Sequence, residues 1–188
     1  PDGERVLLYL SRVHPKKGLH MLLEALVDLP SSATENTRLV VVGPGPDEYV
    51  ERLQSYSRQH QDQLPEVVWR GPVWGDEKWI YLQGADLMCL PTHSENFGLV
   101  VLEALQVGTP VLTTDTTPWG FLQEWAAGFI VAPDVEEIGE ALRSFNEGFR
   151  WTDPKRHQLA RTARKRFSMS RVGSKYAEVY VDASKFSG

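Results

Sequence analysis

Residues 91–107 read PTHSENFGLVVLEALQV. In its second half Leu99, Val100, Val101, Leu102, Ala104, Leu105 and Val107 place apolar side chains on every side of a helix, the pattern of a helix buried all round. Glu103 lies among them, and a carboxylate is costly to bury unless it is paired or hydrogen-bonded. Ser94, Glu95 and Asn96, types that favour turns and helix N-caps, come just before, followed by Gly98. The segment therefore reads as a strand end, a turn, and a helix whose first free N–H groups open at Asn96–Val100. Such an end carries about half a positive charge and attracts phosphate. Glu95 and Glu103 are eight positions apart, which is about 12 Å along a helix axis.

The runs on either side extend the pattern. DLMCLP (86–91) precedes the helix as a strand and PVLTT (Pro110–Thr114) follows it as another. RVLLYL (Arg5–Leu10), RLVVVG (Arg38–Gly43), VVWR (Val67–Arg70) and GFIVA (128–132) are further short apolar runs, so six strands are expected. Between them, helices are predicted over Gly18–Leu29, Asp47–His60, Asp76–Gln83 and, briefly, Trp119–Ala126. Ile138, Leu142 and Phe145 space another helix, and SSATENT reads as a polar loop. From Asp153 to Phe186 the pattern is helical and highly charged, a C-terminal tail to a single domain spanning 1–188. Continuous rather than alternating apolar strands, separated by helices, indicate an α/β fold: a doubly wound, Rossmann-like parallel sheet covered on both faces. Ligands of such sheets bind at the carboxyl ends of the strands.

The 188 residues are enough for one domain with a proper core, and 41% hydrophobic with 24% charged residues is ordinary for a globular protein. A net charge of −5 argues against general nucleic-acid binding. The single cysteine, Cys89, excludes an intramolecular disulfide and sits in the apolar run LMCL as a core thiol. No apolar run approaches the roughly 20 residues of a membrane span, and no signal peptide is expected. These features read as a cytoplasmic protein. The start Pro1-Asp2-Gly3, without Met, reads as an excised piece of a longer chain.

Every strand-to-helix loop of such a sheet falls on one edge, and those loops hold most of the exposed polar residues. Arg12 and Lys17 follow the first strand; together they neutralise a diphosphate without a metal, Arg through paired N–H groups and Lys as a mobile point charge. The alternative is two solvated cations, as read for Lys16. Gly43 and Gly45 flank Pro44 after the second strand, where glycine lets backbone approach a ligand or simply turn. Val73 and Trp74 leave the third strand, as a slot for a base ring or as packing against Trp79. Trp119 lies on the same edge, at a sugar pocket. His93 is read as a loop residue, and the other histidines lack metal-ligand spacing, so no metal is expected. Structural readings remain for the acids too: Glu103 paired with a buried arginine, Glu95 as an acid near a helix start. Acceptors on both sides of an anion site suit a nucleotide sugar, with sugar, diphosphate and ribose in line.

The order SRVHPKKG, VVVGPGP, VVWRGPV, then ADLMCLPTHSENFGLVVLEALQVGTPVLTT resembles the C-terminal half of retaining GT-B glycosyltransferases, in particular those of group 1. The likeness covers about residues 5–145. It implies that Arg12 and Lys17 bind the donor diphosphate and that Glu95 holds hydroxyls of the donor sugar. Asn96, Phe97, Gly98 and Leu99 would present the turn and backbone to sugar and phosphate, Glu103 would bind the ribose, the loop around Val73 would contact the base, and Gly43 would be a further donor-binding residue. Asn96 stands where many members have glycine, and Lys16 where many have an acid. The implied donor is a UDP- or GDP-sugar, with no separate cofactor. The implied acceptor is a glycan or lipid-linked glycan held by an N-terminal domain absent from these residues, through which the whole enzyme would be peripheral to a membrane. Competing readings are a non-catalytic nucleotide-sugar-binding module and a GT-B-fold epimerase.

Overall fold

The computed structural model describes residues 3–147 and 151–168. Its elements run β1 (Arg5–Leu10), α1 (Leu19–Asp28), α2 (Ser31–Thr34), β2 (Thr37–Val42), α3 (Asp47–Gln59), β3 (Glu66–Gly71), α4 (Glu77–Gly84), β4 (Leu87–Leu90), α5 (Leu99–Gln106), β5 (Val111–Thr114), β6 (Gly128–Val131), α6 (Val135–Glu147) and α7 (Asp153–Arg166). Short 3-10 turns occupy Pro15–Lys17 and Gly120–Leu122.

All six strands are parallel, in the order β3-β2-β1-β4-β5-β6. Leu7 of β1 is flanked by Leu39 of β2 and Leu87 of β4. The central strands are apolar without alternation because both faces are covered: α1 packs with α6, and α5 with α4 and α7. The expected doubly wound sheet with helices on both faces is present. Its order reverses between β1 and β4, and the loops that leave these two strands meet at that reversal, the position at which ligands of such sheets bind.

Several boundaries differ from the expected ones. The SSATENT loop contains one helical turn, α2, in which the Thr34 hydroxyl donates back to the Ser31 carbonyl. The helix expected over Trp119–Ala126 is only the 3-10 turn Gly120–Leu122; Ala126 lies at φ 46°, and that left-handed backbone ends the run. The helix in the 91–107 stretch is not buried all round. Val101, Ala104 and Leu105 are buried, but Leu99 is 67% exposed and Val100, Leu102 and Val107 are half-buried. Its apolar excess thus lies on the open edge as well as in the core. Of the expected tail, α7 is described; the part beyond Ser168 lies outside the described residues.

Cys89 is fully buried in β4, and burial pushes its thiol well above the usual range. A thiol reagent such as dithionitrobenzoate is therefore expected to label Cys89 only as fast as the protein opens, reaching one equivalent in denaturant. Rapid labelling of the native protein contradicts that packing.

Candidate ligand site at the sheet reversal

The loop after β1 is built to cross the loop after β4. His14 caps the 3-10 turn, its Nδ1 accepting from the Lys16 N–H at 3.1 Å, and Gly18 closes the turn in the left-handed region at φ 75°. A Cβ on Gly18 would stand 1.8 Å from the Pro91 carbonyl oxygen, so only glycine lets the two loops pass. The Lys16 carbonyl accepts from the His93 N–H at 2.9 Å and from the Thr92 hydroxyl at 3.0 Å. Thr114 and Thr116 brace the same spot, donating to the Thr92 carbonyl at 2.5 and 3.1 Å. These hydroxyls satisfy buried carbonyls that no strand partner reaches.

This clamp brings Lys17 against Glu95. The Lys17 Nζ is ion-paired and hydrogen-bonded to Glu95 Oε2, with side chains only 13% and 18% exposed. Glu95 Oε1 accepts from the Asn96 N–H at 3.2 Å. Gly98 follows in the left-handed region, φ 73°, and caps α5. A side chain there would crowd Glu95, its Cβ 3.0 Å from Glu95 Cγ. The Val101 N–H reaches the Gly98 carbonyl at 2.9 Å, while the N–H groups of the very first helical residues have no intrahelical partner and open on the edge. The Phe97 carbonyl accepts from Trp119 Nε1.

Glu103, one turn into α5, pairs with Lys78 of α4 at 2.6 Å, the two side chains 22% and 34% exposed. Its partner is a lysine, not the buried arginine that a structural reading suggested. Lys78 also lies 4.9 Å from the Trp79 ring centroid. Lys78 was missed in the sequence. The available signal was topological: α4 adjoins α5, and Glu103 needed a cation from a neighbouring element.

Arg12 is exposed just past β1, and among the described residues its guanidinium has no partner. Its carbonyl accepts from the buried Tyr9 hydroxyl at 2.9 Å, which fixes the backbone while leaving the side chain free. Burial raises the Tyr9 hydroxyl pKa far above its usual range. Gly43 and Val73 leave β2 and β3, the next strands outward from the reversal. A Cβ on Gly43 would meet the Ser11 carbonyl oxygen at 1.9 Å, so this glycine serves the crossing of two loops. Val73 is half-buried, and Trp74 beside it is 77% exposed, so its indole is not packed away against the protein as the structural alternative expected. Trp119 is buried, not open to a sugar pocket. His93 is exposed, its ring 5.9 Å from that of His20. The His20 imidazole is pushed below its usual range chiefly by burial. Among the described residues no helix is long and apolar enough to cross a membrane.

The sheet order, with the Lys17–Glu95 ion pair at its reversal, defines a doubly wound α/β domain. The chain belongs to the glycosyl transferases group 1 family, whose model matches residues 1–166. It is 33% identical over 190 residues to a glycogen synthase of Mycobacterium tuberculosis, covering 97% of this chain and 44% of that protein. Among solved structures it matches WaaG, a glycosyltransferase involved in lipopolysaccharide biosynthesis, at TM-score 0.69 and 27% identity, over 90% of this chain and 44% of the other. It also matches Anabaena HepE in complex with UDP at TM-score 0.76 and 22% identity, over 95% and 49%. The chain thus spans about half the length of these relatives, with the architecture of the C-terminal half of a GT-B fold.

Proposed function

We propose that this chain is the donor-binding half of a retaining hexosyltransferase that takes a UDP- or GDP-sugar. One observation carries the reading: a buried-edge lysine and glutamate, Lys17 and Glu95, are paired beside the open start of α5 at the sheet reversal. On binding, the diphosphate oxygens take over Lys17, joined by Arg12 and the N–H groups that follow Gly98. Glu95, relieved of its cation, accepts hydrogen bonds from sugar hydroxyls. At the other end the ribose hydroxyls donate to Glu103, and the base lies near Val73. The glycosidic bond breaks between the anomeric carbon and the β-phosphate oxygen, which keeps the electron pair. Charge grows on that phosphate, and donors already aimed at it stabilise the transition state without reorganising. The acceptor is a glycan or lipid-linked glycan of surface polysaccharide or glycolipid synthesis, presented by an N-terminal half; its hydroxyl oxygen bonds to the anomeric carbon on the same face of the sugar as its proton passes to the departing phosphate oxygen.

Thermal unfolding with and without UDP, GDP and their hexose conjugates tests the reading. A nucleotide at a hundredfold its Kd stabilises a native site by about 2.7 kcal/mol, a rise of about 5–10 °C for a chain of this size. Absence of any rise with all of these at millimolar concentration overturns it. Proton NMR of the sugar product made with an N-terminal half present tests retention, since an inverted anomeric signal contradicts it.

A further inference from the structure

Phe97, Trp119, Phe121, Trp125 and Phe167 form a single aromatic cluster beneath Gly98. Phe97 and Trp119 have ring centroids 5.1 Å apart, Trp119 and Phe121 5.4 Å, Phe121 and Trp125 4.7 Å. Phe167, just past the end of α7, reaches four of them: Phe97 at 6.1 Å, Trp119 at 5.7 Å, Phe121 at 6.1 Å and Trp125 at 6.5 Å. Arg166 lies over Phe121 and Trp125 at 4.9 and 5.3 Å. These are the separations at which aromatic pairs, and cations over rings, attract. The other parts of α7 are fastened to the C-terminal end of α5: Arg164 Nε donates to the Gln106 carbonyl at 2.9 Å, and the Arg156 backbone fills the space beside Gly108. One helix therefore braces α5 at its exit and, through Phe167, at its entry.

The buried Trp119 N–H fixes the Phe97 carbonyl. A trans peptide is a rigid plane in which C=O and N–H point in opposite directions. With its carbonyl held toward the indole, the Phe97–Gly98 peptide must direct the Gly98 N–H away from the cluster, toward the open edge. We propose that Trp119 and Phe167 are positioning residues that aim the Gly98 N–H, and the helix start behind it, at the diphosphate. The proposal rests on the donor reading for the identity of what is aimed at, but not for the brace itself.

Trp119→Phe keeps a ring and removes the donor; Phe167→Leu keeps the bulk and loosens the brace, and serves if the tryptophan variant does not fold. For each, 1H–15N NMR follows the Gly98 amide, and calorimetry compares UDP with UMP, and GDP with GMP. A shifted Gly98 amide is expected in both variants, with the diphosphate losing affinity about tenfold, the size of one hydrogen bond of the stronger kind, and the monophosphate changing little. An unmoved Gly98 amide in a folded variant overturns the proposal, as does an equal loss for mono- and diphosphate. If wild-type protein binds neither diphosphate while the amide still moves in the variants, the donor reading fails and the brace stands.

Discussion

Gly18→Ala is expected to destabilise the protein by on the order of 4 kcal/mol, a large share of the about 5–15 kcal/mol that holds a domain together. Two causes add. The alanine would have to adopt the left-handed region at φ 75°, and its methyl carbon would fall 1.8 Å from the Pro91 carbonyl oxygen, inside backbone that cannot swing aside. Gly71 is the control. It has a similar φ, 70°, but nothing within 4 Å of an added Cβ, so Gly71→Ala should cost only about 1 kcal/mol. Urea unfolding of the two variants separates the causes. Equal losses in both would show that the crossing of the β1 and β4 loops is looser than described. A larger loss at Gly18 is also expected to reach the ligand site, because the same crossing brings Lys17 to Glu95.

Removing the cations should have the next largest effect. Lys17→Ala and Arg12→Ala are each expected to weaken UDP or GDP about ten- to a hundredfold, the worth of a hydrogen bond to a charged group. In the protein joined to its N-terminal half, the loss in sugar transfer should run to orders of magnitude. The two variants differ in the resting protein. Arg12 is exposed and without a side-chain partner among the described residues, so its loss should leave unfolding within about 0.5 kcal/mol of wild type. Lys17 is paired with a mostly buried Glu95, and its loss should destabilise measurably, because an acid is left without its cation. Calorimetry and urea titration on the same samples check both. Near-normal nucleotide affinity in the two variants would remove both residues from the site.

The legible parts of the fold were those where one physical signal dominates. The runs RVLLYL and LMCL are apolar without a break because they lie at the middle of a sheet covered on both faces, and such runs admit few other readings. PTHSENFG was legible as the entry to a helix because Gly98 and its polar neighbours suit a turn. The rest failed for definite reasons. Leu99 looks like core in a sequence, since an apolar residue kept for an open edge has the same composition as one packed inside. The Trp119–Ala126 helix is reduced to the turn Gly120–Leu122, and the left-handed backbone at Ala126 that closes the segment is announced by no side-chain pattern. The service of Trp119 to the Phe97 carbonyl, and of Lys78 to Glu103, joins segments more than twenty residues apart, and only three-dimensional adjacency reveals such partners. Arg12, Lys17, Glu95 and Glu103 were expected as a group from topology; the meeting of the β1 and β4 loops that brings Lys17 to Glu95 was legible, but the self-pairing of the two acids with lysines was not.

That self-pairing has a consequence for how a ligand is captured. With Lys17 on Glu95 and Lys78 on Glu103, those four side chains offset one another in the resting protein, while Arg12 stays exposed and unpartnered among the described residues. Paired charges cast little field into solution, so any pull on a distant polyanion is left to an unpaired cation such as Arg12. On the donor reading proposed above, recognition is a trade of partners at contact, in which a sugar hydroxyl and a phosphate must arrive together to replace what the lysine and the glutamate give each other. Bare phosphate can satisfy the lysine and strands the acid, which makes such a site a poor trap for the anions that crowd a cell.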